Sequence, residues 1–224
     1  ESGISTFRDA GGLWDKYPVE QVATPEGYAR NPELVINFYN ERRKQLLDVV
    51  PNAGHLGVAD LERDFNVTVV TQNVDNLHER AGSTHVIHLH GELTKVCSSR
   101  DPYNPHFVKE LAPEEYEVKL GDKAGDGTQL RPFIVWFGES VPEIETAIRY
   151  VEQADIFVII GTSLNVYPAA GLLNYVPRAA EVYLIDPKPV DTHVMRPIHV
   201  IQKGASEGVK ELKALLTVTQ PPLP

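Results

Sequence analysis

The sequence predicts an α/β protein with a Rossmann-like, doubly wound parallel sheet and a small inserted lobe. Apolar, β-branched runs at residues 66–71, 155–160 and 181–186 are typical of strands that are buried on both faces, and residues 199–202 form a shorter run. Helical patterns lie between these runs, and strand–helix alternation of this kind indicates parallel pairing. The chain of 224 residues is long enough for one such domain with an insert.

The predicted helices begin at residues that favour helix starts. Asn31 is an N-cap residue, and Pro32 follows it at the first helical position, where proline is tolerated. Prolines also begin the second and third helices, and Ser206 is expected to cap the last one. The predicted helices cover residues 32–49, 142–153, 168–175 and 207–216.

Residues 97–130 interrupt this alternation. They are rich in Asp, Pro, Asn, Lys and Gly and show little periodicity. We therefore predict a small insert over 97–130, with the main domain formed by residues 1–96 and 131–224.

Composition limits the class of partner. A net charge of −10 argues against nucleic acid or an anionic membrane as the main partner. There is no apolar run near the roughly 18–20 residues that a membrane helix requires, and no signal peptide, so we expect a cytoplasmic protein. Cys97 is the single cysteine, which excludes a disulfide framework and an all-cysteine zinc site.

Polar residues follow the predicted strand 66–71. Gln72, Asn73, Asp75 and Asn76 form a dense set of donors and acceptors at its carboxyl end. Ligands bind at this edge of doubly wound sheets. Asp and Asn side chains also cap helices, so the segment is either a ligand-binding loop or a loop that caps the next helix.

Two histidines follow ten residues later. Alternation places His88 and His90 on one face of a short strand, where they are metal ligands, a base with a structural partner, or hydrogen-bonded core residues. A metal needs further ligands, and no third candidate stands at useful spacing. Gly91 permits close approach of backbone or ligand beside His90, and imidazole suits proton transfer near neutral pH, so both favour a base at His90.

Two later segments have ambiguous patterns. Gly161, Thr162 and Ser163 directly follow the strand 155–160 and can contact phosphate or ribose oxygens, although many strand-to-helix turns look the same. Residues 134–139 are an apolar run that ends in Phe-Gly-Glu. This run is either plain core followed by a turn or an exposed edge for an extended peptide.

Taken together and in this order, these segments resemble the sirtuin family. The match covers nearly the whole chain, and no single motif would support it alone. The matching segments are residues 1–8, 72–75, 88–91, 137–139 and 161–163.

The resemblance implies an NAD-dependent protein-lysine deacylase that yields nicotinamide and 2′-O-acyl-ADP-ribose, with His90 as the catalytic base and acyl-lysine proteins as substrates. The implied NAD-binding residues are Phe7, Arg8, Gln72, Asn73, Asp75, Gly161, Thr162, Ser163, Asp186 and Ala205. The implied peptide-binding residues are Val135, Phe137, Gly138, Glu139, Val166 and Tyr167.

Tyr39 and Arg42 indicate which acyl groups the protein removes. They lie three residues apart on the first long helix and share a face with its apolar stripe, so both should point inward. An inward arginine needs an anion or a carboxylate partner, and the alternative is a partly buried ion pair or a snorkelling side chain. In the desuccinylase and demalonylase branch, which this bacterial-like sequence resembles, Tyr and Arg at this spacing bind the distal carboxylate of the acyl chain. The resemblance therefore implies activity on succinyl and malonyl groups as well as acetyl.

The sequence departs from the family pattern in three places. The Gly-Ala-Gly that normally precedes Glu1 is missing, and we expect the natural chain to continue upstream. Only Cys97 remains of the four zinc-ribbon cysteines, so we predict a zinc-free insert and no other metal site. Asp186 stands where Asn is usual, and it can still accept hydrogen bonds from ribose hydroxyls.

Two rival functions use the same pocket. An NAD glycohydrolase or ADP-ribosyltransferase would need neither the peptide cleft nor the Tyr39/Arg42 pair. A non-catalytic NAD or ADP-ribose sensor would have no use for a base at His90.

Overall fold

A computed structural model describes residues 1–4, 16–162, 169–190 and 195–218 of the chain. Its strands fall into two parallel groups and one antiparallel group. The strands are β1 (Val69–Thr71), β2 (Val86–His88), β3 (Gly91–Ser98), β4 (Lys109–Glu110), β5 (Leu130–Ile134), β6 (Ile156–Ile160), β7 (Glu181–Ile185) and β8 (His199–Ile201). The helices are α1 (Val19–Val22), α2 (Pro25–Arg30), α3 (Pro32–Leu47), α4 (Ala53–Asp60), α5 (Leu77–Ala81), α6 (Ile144–Val151) and α7 (Ala205–Val218).

The predicted parallel strands are confirmed. β1 pairs with β2, and β7 pairs with β6 on one side and with β8 on the other, all in parallel. The first strand begins at Val69 rather than at residue 66, so it is shorter than the apolar run suggested. Parallel strands need a crossover connection between them, and α5 lies in the connection between β1 and β2.

Alternate residues of β7 pack into different cores. Val182 and Leu184 belong to a cluster with α6, whereas Tyr183 and Ile185 belong to a cluster with α7. Because successive side chains of a strand point to opposite faces, helices cover this sheet on both sides. This arrangement is the doubly wound architecture that the apolar strand pattern predicted.

Helix α3 begins as the sequence predicted. The Leu34 amide donates to Asn31 Oδ1 at 3.1 Å, and Pro32 occupies the first helical turn. The last helix differs, because it begins at Ala205, so that Ser206 lies inside its first turn instead of capping it. Its Ser206 amide faces the carboxylate of Glu1.

The third predicted helix was wrong in type. Residues Ala169–Tyr175 form a 3-10 helix instead of an α-helix. Gly171 and Asn174 have low helix propensity, and Pro177 prevents continuation, so the segment is too short for a stable α-helix.

An antiparallel sheet of order β4-β3-β5 carries the predicted insert. Strand β3 begins before residue 97, and its pairing with β5 shifts register between Gly91 and Val96. Within the insert the Ser98 hydroxyl donates to Asp126 at 2.6 Å and lies 3.0 Å from the Thr128 hydroxyl. The boundary at residues 96 and 97 therefore falls inside a strand.

Helix α3 holds the insert through two buried side chains. The Asn40 amide donates to Val118 O at 2.8 Å, and its carbonyl accepts from Val118 N at 3.0 Å. The Arg43 guanidinium donates to Tyr116 O at 2.7 Å and to Asn40 Oδ1 at 2.5 Å. Both backbone groups of Val118 thus depend on one side chain.

A cavity of about 1650 Å³ separates the two parallel groups. It is lined by β1 on one side and by β6 on the other, and these strands are not paired with each other within the described ranges. The Gln72 side chain crosses it and donates to the Thr162 hydroxyl at 3.0 Å. The cavity thus opens where the carboxyl ends of β1 and β6 meet. Across the described residues, no helix is both long enough and apolar enough to cross a membrane.

We expect Asn40→Ala to lower the free energy of unfolding by about 3 kcal/mol, because it leaves the buried amide and carbonyl of Val118 without partners. Urea denaturation followed by circular dichroism measures the change. Asn37→Ala removes an exposed asparagine from the same helix and should change stability by less than about 0.5 kcal/mol. Equal effects of the two substitutions would contradict the anchoring role of Asn40.

Candidate functional site

His90 lies at the turn between β2 and β3, and Gly91 makes this turn possible. Gly91 has φ +86°, a conformation that favours glycine. A Cβ atom there would clash with the carbonyl oxygen of Phe133 on β5. The close approach expected beside His90 is therefore that of the neighbouring strand's backbone.

The His90 ring is held in one tautomer. Its Nδ1 lies 3.1 Å from the carbonyl oxygen of Gln72. A carbonyl only accepts, so Nδ1 carries the proton and Nε2 keeps a free lone pair. Burial lowers the pKa of His90, so that the neutral ring is favoured near pH 7. A neutral imidazole that lines the cavity is suited to act as a general base.

His88 has the opposite environment. Its Nδ1 lies 3.2 Å from Asn73 O, and its Nε2 lies 2.5 Å from the Glu79 carboxylate. Burial opposes the charged form, yet the hydrogen bond to Glu79 prevails and raises the pKa of His88. Glu92 is also close, and its carboxylate accepts from Lys95 Nζ at 2.7 Å. Both nitrogens of His88 are therefore engaged, and the ring is a cation paired with Glu79. Of the alternatives considered for the two histidines, His88 fits that of the structural partner of a base.

The polar loop after β1 lines the cavity and also caps the next helix. Gln72 and Asn73 line the cavity, and the Asn73 amide donates to Thr71 Oγ1 at 3.0 Å. Asp75 Oδ1 accepts from the Leu77 amide at 3.0 Å and so caps the start of α5. Asp75 itself does not line the cavity among the described residues.

The adenosine side of the predicted site lies across the cavity. Gly161 adopts φ +60°, and the space where a Cβ would stand is open. Asp186 Oδ1 accepts from the Lys188 amide at 2.8 Å, and Ala205 begins α7. With Thr162, these residues line the same cavity as His90. Phe7, Arg8, Ser163, Val166 and Tyr167 lie outside the described residues.

His78 is a cavity residue that the sequence reasoning did not select. Its ring meets that of His55 edge to face at 4.8 Å between centroids. Its Nδ1 and the Asn76 side-chain oxygen are buried and find no hydrogen-bond partner in the described part of the chain. Burial lowers the pKa of His78 to about 4. The available signal was a histidine in the first turn of a helix that follows the polar end of a strand.

The predicted peptide-binding segment lines the cavity from Val135 to Glu139. The Val135 amide donates to His90 O at 2.9 Å, and the Phe137 side chain is 48% exposed. The Glu139 carboxylate is not free for a ligand. It pairs with Arg131 at 2.8 Å, accepts from the Trp136 amide at 2.8 Å and accepts from the Tyr103 hydroxyl at 3.0 Å. The Glu139 amide donates to Trp136 O at 3.0 Å, so only the backbone carbonyl of Glu139 is left for a peptide.

Tyr39 and Arg42 both point inward from α3. Tyr39 lines the cavity, and its hydroxyl accepts from Trp136 Nε1 at 3.1 Å. Arg42 does not line the cavity within the described ranges, and its guanidinium carbon lies 5.2 Å from the Phe38 ring centre. Its Nε and Nη1 are buried and have no hydrogen-bond partner among the described residues. Within the described part of the chain, Arg42 therefore shows no ion pair of the kind considered for it.

Comparison with known proteins agrees with this geometry. The model of the Sir2 family matches residues 1–168. An NAD-dependent protein deacylase of Bacteroides thetaiotaomicron is 85% identical over 216 residues, which are 96% of this chain and 92% of the relative. An NAD-dependent protein deacylase of Helicobacter pylori is 48% identical over 212 residues, which are 95% of this chain and 90% of the relative.

Solved structures give the same result. A mutant Sir2 homologue in complex with ADP-ribose superposes with a TM-score of 0.84 at 34% identity, over 98% of this chain and 90% of that one. A complex of a Sir2 homologue with NAD gives a TM-score of 0.81 at 36% identity, over 97% and 84% of the two chains. The family match, the identities and the superpositions together show that the chain belongs to the Sir2 family.

Proposed function

We propose that this chain is an NAD-dependent protein-lysine deacylase that yields nicotinamide and 2′-O-acyl-ADP-ribose. The observation that carries the proposal is the neutral His90, whose Nδ1 is fixed on Gln72 O and whose Nε2 is free. The similar proteins named as NAD-dependent deacylases support the same activity.

The donor set of the cavity fits NAD. Polar groups stand at both ends, and the buried Nδ1 of His78, which lines the cavity, has no hydrogen-bond partner among the described residues. The nicotinamide end would be held by Gln72 and Asn73, and the adenosine end by Gly161, Thr162, Asp186 and Ala205. Phe7, Arg8, Asp75 and Ser163 complete the set by resemblance.

His90 supplies the proton chemistry. NAD, when bound, would supply the ribose C1′ that loses nicotinamide and the 2′ hydroxyl that takes up the acyl group. His90 Nε2 accepts a ribose hydroxyl proton, because Nδ1–H is already donated to Gln72 O. The Gln72 carbonyl then stabilises the charged ring, as a fixed acceptor does for a catalytic imidazole.

The peptide would bind as an extended strand beside Val135, Phe137, Gly138 and the backbone of Glu139. The opposite side would come from Val166 and Tyr167. The Val135 amide is already bonded to His90 O, so the acyl-lysine would enter next to the base. Strand addition of this kind uses backbone hydrogen bonds and tolerates different peptide sequences.

The acyl preference includes acidic groups. Tyr39 offers a hydroxyl at the cavity, and Arg42 has two buried nitrogens without acceptors among the described residues. A phenol and a guanidinium combine directed hydrogen bonds with charge, which suits a succinyl or malonyl carboxylate.

The insert does not fit the zinc site of the family. Cys97 is the single cysteine, and among the described residues it belongs to no cluster of three possible metal ligands, whereas a structural zinc site needs four. Ser98 instead accepts from the amides of Arg100 and Asp101, each at 3.0 Å, and donates to Asp126. We infer an insert that is held by hydrogen bonds and packing without zinc.

We expect His90→Ala to reduce acyl-peptide-dependent nicotinamide release at least about 100-fold, because it removes the base. His106→Ala, at an exposed position of the insert, should retain activity. In the unmodified chain, the acid limb of kcat/KM should lie below 6.5, the ordinary histidine pKa, because burial lowers the pKa of His90. Nicotinamide release that does not need peptide would indicate a glycohydrolase, and NAD binding without any turnover would indicate a sensor.

We expect Arg42→Met to lower kcat/KM for a succinyl-lysine peptide about 10- to 100-fold and to change the acetyl-lysine value by less than about threefold. Lys44→Met removes an exposed positive charge from the same helix and should change neither value. Equal losses on both peptides would contradict the proposed activity on acidic acyl groups.

Elemental analysis of the purified protein should find no stoichiometric zinc, and a chelator should leave the melting temperature unchanged. The reason is that the single cysteine belongs to no cluster of possible metal ligands among the described residues. One zinc per chain would overturn the prediction of a zinc-free insert.

A further inference from the structure

Trp136 joins the peptide side of the cleft to the acyl side. It directly precedes Phe137 and Gly138, and its indole Nε1 donates to the Tyr39 hydroxyl at 3.1 Å. Both side chains are only 2% exposed, so water does not compete for this bond. The bond links residues that are 97 positions apart in the chain.

Trp136 is fixed in place by Arg131. The Arg131 guanidinium carbon lies 3.6 Å from the centre of the Trp136 ring system, within the range of a cation–π contact. The same guanidinium donates to Glu139 Oε1 at 2.8 Å and to Oε2 at 3.1 Å. Glu139 Oε2 in turn accepts from the Trp136 amide. One buried cation thus holds the ring directly and the backbone through Glu139.

The bond from Trp136 determines what Tyr39 can offer a ligand. A phenol both donates and accepts, whereas an indole N–H only donates. With its oxygen accepting from Trp136, Tyr39 presents its hydrogen, for which the described residues provide no acceptor. The hydroxyl is therefore biased towards a group that accepts a hydrogen bond.

We propose that Trp136 is a specificity-determining positioning residue, which orients the Tyr39 hydroxyl as a donor and so favours acyl chains that end in a carboxylate over those that end in a methyl group. This inference rests on the proposed function, because it takes Tyr39 to meet the distal end of the acyl chain. In this role Trp136 acts through Tyr39.

The test compares kcat/KM for succinyl- and acetyl-lysine peptides of one sequence in the Trp136→Phe, Tyr39→Phe and doubly substituted proteins. Trp136→Phe should lower the succinyl value about tenfold, as expected for one hydrogen bond to a charged ligand, and the acetyl value by less than about threefold. In the Tyr39→Phe background, Trp136→Phe should cause no further selective loss, because the hydroxyl is already absent.

Tyr103→Phe is the matched control for packing. It removes a hydrogen bond from the other side of Glu139 and leaves the bond between Trp136 and Tyr39 intact. Any effect should therefore be equal on the two peptides. Thermal melts identify a variant that fails to fold, and if Trp136→Phe fails to fold, Trp136→Met, which also lacks the indole N–H, replaces it in the same comparison.

The outcomes separate this inference from the proposed function. One outcome is that Tyr39→Phe and Arg42→Met lose succinyl activity selectively while Trp136→Phe does not. In that case the proposed role of Trp136 is wrong, and the proposed recognition of acidic acyl groups by Tyr39 and Arg42 is supported. Additive effects of Trp136→Phe and Tyr39→Phe would also overturn the inference. If the unmodified chain removes acetyl but not succinyl groups, the proposed activity on acidic acyl groups is wrong, and the inference on Trp136 falls with it.

Discussion

Parallel pairing of β1 with β2 is the constraint on which the site depends. It places Thr71 opposite His88, so the residues that follow both strands leave the sheet at the same edge. Two successive carbonyls of the first loop then face two histidines of the second: Gln72 O accepts from His90, and Asn73 O accepts from His88. A slip of one residue in this register would turn the histidine side chains to the opposite face, and the base would lose the acceptor that fixes its tautomer.

The two histidines show how the surroundings of a side chain at this edge of the sheet determine its pKa. They are two residues apart, yet the pKa of His88 is raised and that of His90 is lowered. Burial disfavours the charge of both rings, and only His88 has a carboxylate, that of Glu79, to compensate. The charged ring fastens the loop after β1, and the neutral ring is left with a free nitrogen at the cavity. Environments that move two pKa values apart are a common way to assign such roles.

The sequence was informative about features that are determined by residues close together in the chain. Buried parallel strands appear as apolar runs, and their ends locate the polar clusters, so β6, β7 and the loop at Gln72 were predicted. Local propensity misjudged residues Ala169–Tyr175. Contacts over long separations left no local signal: nothing in the pattern around Tyr39 indicates an indole 97 positions away. Gly91 did signal a close approach, but only the fold shows which backbone approaches.

The extended segment after β5 contacts both the base, His90, and Tyr39. The Val135 amide bonds to His90 O, and the side chain of the next residue, Trp136, reaches Tyr39. Successive residues of an extended chain are thus fastened to different walls of the cleft. Arg131 anchors this segment from β5, on the side of the insert. The Val135 amide thus fixes the position of the base, whereas the Trp136 side chain acts on Tyr39. A change confined to the Trp136 side chain therefore alters the contact with Tyr39 and leaves the bond between Val135 and His90 in place.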